Sequence, residues 1–434
     1  MLLPNKGVNL LFKHSSSILN IFHLDFNSPN HYLSLSDNSE VVEFLLVPEE
    51  EKIKEIEKFH IKRPDNELLQ NNGHKIVHLK HGQYHKITQV LQFENFMVLG
   101  YDDGLILVYQ IIKKQLENDF EKEDEENENN NYKLDYFNSF SLYYILLGHL
   151  EEIVSFCYIP ELKILISSSI DNSLKIFDFA TGQLTHFFKF DFIINKILYQ
   201  NAAKKGDPKI VLTLLSQSPV KVLINLSANP ITYNTHHFEH IDVCQLEKIN
   251  DKFYGLNSKK IKILDKNFEQ EGTLINLNNI DFQYFTKYKN DFLIVDNENM
   301  VRMVTFKIKE KNKAKEDSKN DKNKKKNTKK EEPPEEEEKI FESIIHTQFK
   351  FKVGEDNING FYFINNFILA FCRDGSLYSI NYDKIHESYE NELMKIEDEI
   401  SMKMMESMVN NKKSKKGKKD KKDKGKKDKK KKKK

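Results

Sequence analysis

The segment GHLEEIVSFCYIPELKILISSSIDNSLKIFD, Gly148 to Asp178, decides how the rest of the chain is read. It opens on Gly-His, crosses two short runs of branched and aromatic residues, turns at Asp171-Asn172 and ends on Phe177-Asp178. Such runs flanking a two-residue Asp-Asn turn predict an antiparallel strand pair. Asp and Asn tolerate the unusual turn backbone, and short polar side chains bond to neighbouring groups. Phe177 falls six positions after the turn residue Asp171, and the same ruler fits Asp103 with Tyr109 and Asp374 with Ile380. Weaker copies are Asn38 with Phe44, Gln217 with Leu223, Ser258 with Leu264 and Glu298 with Val304. From position 171 the turns are 46, 41 and 40 residues apart, the length of one four-stranded unit in a radially repeated sheet.

Three longer intervals carry extra segments. Lys309 to Glu338 separates turns 298 and 374, and Glu117 to Asn131, with eight acids against Lys122, lies between 103 and 171. Neither has the apolar content to form a core. Between 38 and 103 lies Pro48 to Gly73, whose EEEKIKEIEK run reads as a short surface helix. Elsewhere FYFINNFILAFC (Phe361 to Cys372) and KIVLTLL (Lys209 to Leu215) have strand composition. In the radially repeated folds that this chain resembles, an N-terminal strand commonly completes the last unit and so leaves no open edge, which implies that Val8 to Phe12 lies outside the strands drawn from Phe361 to Tyr382.

The Gly148 to Asp178 segment resembles a WD repeat. The resemblance covers roughly residues 7 to 383 and implies an all-β fold, a seven-bladed WD40-type β-propeller over residues 1–383 with disordered inserts at 117–139 and 309–338. An amphipathic helix over 384–409 and a disordered polylysine tail over 410–434 follow. In that family a His, a strand Ser or Thr, the turn Asp and a Trp form a hydrogen-bonded set, which by position would be His149, Ser169, Asp171 and Phe177. The chain has no tryptophan, so the set is at most a triad, with Phe177 contributing burial alone. The family recurrently binds proteins on the face that presents turns around the central channel. The residue before each turn residue then nominates Asp102, Ile170 and Arg373.

The net charge of +1 hides an asymmetry, since Lys412 to Lys434 holds 17 lysines and three aspartates, a net +14 that leaves −13 on the rest. Such a block reads either as solvated charge or as an arm that displaces counterions from a nucleic-acid backbone, beginning with Lys412, Lys413, Lys415, Lys416, Lys418 and Lys419. No run reaches the 18 apolar residues of a bilayer-spanning helix, and Pro4, Asn5 and Lys6 interrupt any signal-peptide core. Cys157, Cys244 and Cys372 are scattered singly, which predicts neither disulfides nor a zinc knuckle and fits a reducing compartment.

No phosphate-cradling glycine loop and no serine elbow is present, and the HESYE run at His386 lacks the second histidine of a zinc helix. The expectation is a protein that is not an enzyme and holds no cofactor and no metal. His74, His78, His81 and His85 would share one face of a helix, but a strand and loop leading into the second unit disperses them, with His85 taking the repeat-opening place. His236, His237 and His240 read as a loop.

From Lys384 to Val409, Ile385, Tyr389, Leu393, Ile396, Ile400 and Met404 recur at helical spacing, so one stripe must be buried, against the propeller or against a partner helix. Leu393, Ile396, Ile400 and Met404 are the candidate partner contacts, beside adaptable Met405 and Met408. The expected function is a scaffold joining protein subunits in a larger complex. The tail resembles those of WD proteins in ribosome assembly and RNA processing, implying RNA contact and a nuclear or nucleolar place. The alternative is an adaptor without nucleic acid, such as a ubiquitin-ligase substrate receptor or a trafficking or ciliary scaffold, in the cytoplasm. Neither reading has a membrane partner or a small-molecule substrate.

Overall fold

The computed structural model describes residues 8–24, 30–47, 52–74, 83–115, 136–201, 209–215, 219–225, 232–237, 245–249, 252–256, 261–264, 270–274, 282–288, 291–296, 300–308, 339–350, 358–364, 367–391 and 393–405. Lys412 to Lys434, most of both inserts, the turn residues Gln217, Ser258 and Glu298, and His78, His81, His240 and Cys244 lie outside this set.

Strand β1 (Val8–Lys13) is followed by antiparallel meanders of four. The first is β2 (Ile18–His23), β3 (His31–Ser36), β4 (Glu40–Val47) and β5 (Lys52–His60); the second is β6 (Ile87–Phe93), β7 (Phe96–Tyr101), β8 (Ile106–Gln115) and β9 (Tyr136–Leu146). The third is β10 (Ile153–Ile159), β11 (Ile164–Ser169), β12 (Ser173–Asp178) and β13 (Gln183–Lys189). Then come β14 (Lys196–Asn201), β15 (Lys209–Leu215), β16 (Pro219–Asn225) and β17 (Thr232–His237). One eight-stranded sheet holds the next two meanders. These are β18 (Gln245–Ile249), β19 (Lys252–Leu256), β20 (Ile261–Leu264), β21 (Gln270–Leu274) and β22 (Phe282–Tyr288), β23 (Asp291–Asp296), β24 (Met300–Ile308), β25 (Lys339–Lys350), joined by parallel pairing of β21 with β25.

The last sheet has the order β1-β28-β27-β26, built from β26 (Ile358–Ile364), β27 (Phe367–Cys372) and β28 (Ser376–Asn381). Its fourth strand therefore comes from the opposite end of the chain, with Val8 opposite Ile380 and Lys13 opposite Ser376. First strands of successive meanders touch: β2 meets β6, β6 meets β10, β10 meets β14, β18 meets β22, β22 meets β26, and β26 returns to β2.

Apolar clusters sit between neighbouring sheets. One joins Ile18, Tyr32 and Phe44 to Phe367, Leu369 and Leu377; another joins Leu33 and Val41 to Met97, Leu99 and Leu107; a third joins Val98 and Val108 to Leu165 and Phe177. The first, second, third and last sheets are thus covered on both faces, which is why every residue of β3 and β27 is buried and why these strands lack the polar-apolar alternation of a half-exposed sheet. Each side chain as enclosed as Phe177 contributes roughly 2 to 3 kcal/mol.

Three sequence expectations are corrected. The KIKEIEK run is not a helix but strand β5, paired along the edge of β4. Its half-buried residues Ile53, Ile56 and Phe59 are three apart because Phe44 pairs with Glu55 and Glu43 with Glu57, which leaves Ile56 as a bulge. The helix of that region is α1 (Asn66–Asn71), capped by Asp65, whose carboxylate accepts from Leu68 N at 2.8 Å. Tyr136 to Ser139, expected inside an insert, begin β9, and His236 and His237 end strand β17 instead of forming a loop. Helix α2 follows β28, over 382–391 and 393–405.

Candidate functional site

The turns between second and third strands set the geometry. Ser39, Gly104, Asn172 and Gly375 have φ of 69, 82, 60 and 83°, each directly after the turn residue of the ruler. At Gly104 and Gly375 a side chain would also run into the backbone carbonyls of His149 and of Ser16 and His14, so glycine is required there twice over. In all four turns the preceding side chain bonds two residues onward. Asp171 Oδ1 accepts from Ser173 N at 2.9 Å, Asp374 Oδ1 from Ser376 N at 3.0 Å, Asn38 Oδ1 from Glu40 N at 3.2 Å and Asp103 Oδ1 from Leu105 N at 3.3 Å.

His149 is buried above the third turn. Its Nδ1 lies 2.7 Å from Ser173 Oγ and 3.4 Å from Asp171 Oδ1, and its Nε2 lies 2.7 Å from Ser167 Oγ. Asp171 Oδ2 accepts from Leu150 N at 2.8 Å. The strand serine on the histidine is therefore Ser167, not Ser169. Ser169 instead donates to the Glu151 carbonyl at 2.9 Å and accepts from Asp171 N at 3.1 Å. Phe177 is fully buried between the second and third sheets.

The first meander repeats the arrangement: His14 Nε2 lies 2.7 Å from Ser34 Oγ, and its Nδ1 lies 3.4 Å from Glu40. Ser34 and Ser167 both stand four residues before the turn residue, and positions 99 and 370 of the other two described turns hold Leu and Ala. That pairing of an upstream histidine with a serine at minus four was a signal available in the sequence. The WD-type β-propeller is the fold.

No known family description matches the chain, and no curated protein matches it. Solved structures similar to it include that of U3-55K (9% identity, 86% of this chain and 98% of that chain, TM-score 0.49). Two others are the C-terminal WD40 domain of Sif2 (8%, 87% and 98%, 0.49) and the RRP9 WD40 repeats (9%, 88% and 99%, 0.49).

In this propeller the second turn departs from the pattern. Asp103 has no serine set. The guanidinium of Arg63, which stacks 4.9 Å over Tyr101, grips its carboxylate, and buried His74 reaches Asp103 Oδ2 at 3.2 Å. Both groups come from the connection around α1, whose Leu69 is fully buried. His85, expected to fill the repeat-opening place, sits 3.0 Å from Asp102 and 3.5 Å from Asp103, outside the buried pair. Burial opposes the charge on Asp103, yet His74 and Arg63 hold its carboxyl well below the usual range. Asp171 is likewise held low against burial, by His149, Ser173 and Leu150 N.

His85, Asp102 and Asp103 bring three ligand-type atoms within 4.8 Å, the one such group among the described residues. The Arg63 cation on Asp103 already neutralises the most buried of them, so the group is an ion-pair cluster and a poor cation site. Burial pushes the Cys157 thiol up to about 12, which leaves no thiolate nucleophile there at neutral pH. Among the described residues no helix is long and apolar enough to cross a membrane.

Of the nominated face residues, Ile170 is exposed, its backbone N–H donating to the Glu152 carbonyl at 3.0 Å. Asp102 is half-buried and held by His85, and its charge adds to burial in raising the Glu152 pKa, so the second and third turns meet at Glu152. Arg373 is exposed, but its Nε donates to Asn359 Oδ1 at 3.2 Å; Asn359 in turn donates to Ser17 Oγ and to the Ile18 carbonyl, both at 2.9 Å. Sequence reasoning missed Leu150, 78% exposed beside the Asp171 turn. Helix α2 divides: Ile385 and Tyr389 are buried against Leu293, Val301 and Ile380, whereas Leu393, Ile400 and Met404 are exposed and Ile396 is half-buried.

These histidines predict a pH effect. Burial drives His14 down to about 4 although Glu40 favours its charge, and burial also lowers His149. Between pH 6.5 and 4 the unfolded chain binds a proton at His14 that the folded chain refuses, and burial acts in the same direction at His149, so the His14 share of stability is full above 6.5 and is lost as pH falls through that window. From His14 alone the expected loss between pH 7 and about 4.5 is roughly 2 to 3 kcal/mol, read from urea midpoints. His14→Gln should flatten the profile by that share; an unchanged slope would refute the assignment.

Proposed function

We propose that the chain is a non-catalytic, seven-bladed scaffold that joins protein subunits within a larger complex. The observation that carries this reading is what the turn face does with its polar groups. The carboxylates of Asp103, Asp171 and Asp374 are occupied in holding their own turns, Asp374 also by Lys13 at 3.0 Å, while Leu150 and Ile170 stand exposed beside them. Acids engaged in this way are poorly placed to transfer protons to a substrate, and exposed aliphatic residues set among fixed polar turns suit a protein contact. Asp102, Ile170 and Arg373, at equivalent turns, are the proposed contacts.

We further propose that the lysine-rich tail contacts RNA, with a nuclear or nucleolar role in ribosome assembly or RNA processing. Its net +14, set against −13 on the remaining chain, supports an arm that meets phosphate while the propeller meets protein. Affinity purification of the full chain beside a version ending at Asn411 tests both parts. The full chain is expected to retain RNA at ~50 mM salt, to lose roughly a hundredfold in RNA affinity by ~200 mM, and to lose RNA altogether on truncation, with its protein partners unchanged. RNA recovery that ignores the truncation would refute the tail assignment. A protein set free of RNA in both samples would leave the adaptor reading. Leu150→Asp with Ile170→Asp should release partners without changing the melting temperature; retention of every partner would overturn the face assignment.

A further inference from the structure

Helix α2 is anchored at one end and bare at the other. Ile385 and Tyr389, 3% and 8% exposed, lock its first turns into the cluster formed by Leu293, Val301, Met303 and Ile380. The same stripe continues through Leu393, Ile396 and Ile400, and there Leu393 is 40% exposed and Ile400 48%. At about 100° per residue these five side chains fall within one arc of about 80°, so the helix leads a single apolar seam from the propeller into solvent.

The margins of that seam are mainly acidic, although Lys403 stands on its line three residues beyond Ile400 and Lys395 lies further round the helix. Glu390 and Glu397 flank one side and Glu399 the other, all exposed. Their local partners are weak: Glu390 lies 3.3 Å from His386 and Glu399 4.0 Å from Lys403, both pairs in solvent and readily exchanged.

We infer that the Leu393–Ile396–Ile400 seam with its glutamate margins is a docking site for an amphipathic helix of another protein, one that carries an aliphatic stripe flanked by Lys or Arg. Charge complementarity decides the occupant. A second copy of this chain would set glutamate against glutamate along the seam, which opposes pairing. The chain's own Lys412 to Lys434 has no apolar residue, so it could neutralise the glutamates but could not cover Leu393 and Ile400. Only a helix that brings both aliphatic and basic side chains satisfies both features.

The inference rests on the scaffold reading, but the two can fail separately, since the measurement here involves no cellular partner. The probe is a synthetic 28-residue helix with Leu at the seam positions and Lys at the flanking ones, titrated against the full-length chain by fluorescence anisotropy. Two companions complete the set: the same peptide with Glu at the flanks, and one of identical composition in scrambled order. The Leu/Lys peptide is expected to bind about tenfold or more tighter than either, and Ile396→Asp with Ile400→Asp to remove that preference while the melting temperature stays put. Glu390→Lys, Glu397→Lys and Glu399→Lys together should invert it, favouring the Glu-flanked peptide. Equal affinity for all three peptides, or binding untouched by the isoleucine substitutions, would overturn the proposal. So would isoleucine-dependent dimerisation of the free chain, or binding that emerges only after truncation at Asn411, because then the second copy or the tail is the occupant.

Discussion

Asp171→Ala is expected to lower the stability of the propeller by about 3 kcal/mol, among the larger effects of any side-chain truncation in the chain. One carboxylate accepts from Ser173 N at 2.9 Å, from Leu150 N at 2.8 Å and from the Ser173 hydroxyl, and lies 3.4 Å from His149 Nδ1. Alanine would leave these donors unsatisfied around a buried histidine, and that desolvation cost outweighs the net worth of any single bond. Asp171→Asn should cost only about 1 kcal/mol, because an amide oxygen can still serve the turn N–H, as Asn38 does for Glu40 N. Chemical denaturation of the two variants checks this. Equal losses would show that the charge, and not the acceptor geometry, matters.

Removing residues 1–13 is expected to have a larger effect still. The deletion strips β1 from β28 and takes Leu11 and Phe12 out of the cluster shared by the first and last sheets, where Phe12 meets Phe44 edge-on at 5.5 Å. It also removes Lys13 from Asp374. Loss of the partly buried side chains alone is worth about 4 kcal/mol, and the freed edge of β28 becomes a template for intermolecular pairing. The shortened chain should unfold at lower urea and aggregate on concentration. Adding a peptide of residues 1–13 should restore the midpoint, since the missing strand pairs without a covalent link. A truncated chain as stable and monomeric as the intact one would refute ring closure by β1.

The ruler that found the turns is short-ranged, and this made it legible. A side chain bonding two residues onward, followed by a residue at positive φ, is written within four consecutive positions, and the strands bracket all seven ruler positions, from Asn38 to Asp374. The choice between Ser167 and Ser169 is of another kind. Both lie on the same side of β11, so strand periodicity cannot separate them. The path of the chain from His149 into β10 decides it, bringing the ring to Ser167 and the Glu151 carbonyl to Ser169. For Asp103 the histidine that matters is His74, because α1 turns the chain back beneath the second sheet and delivers it together with Arg63.

Segments whose local signal was overruled share one cause. KIKEIEK has the charge and spacing of a helix, but the open edge of β4 offered ladder partners, and a bulge at Ile56 absorbed the mismatch in period. In α2 the amphipathic stripe was plain, and its division at Tyr389 was not, because that depends on where the apolar surface of the sixth meander and of the last sheet ends. By itself, then, the sequence determined the repeat, its turns and the strand-rich class, since these follow from bonds between near neighbours. Which serine meets His149, which cation meets Asp103, whether a charged run becomes an edge strand, and how much of a helix is covered were decided by tertiary packing, because each depends on what a distant segment presents once the ring has closed.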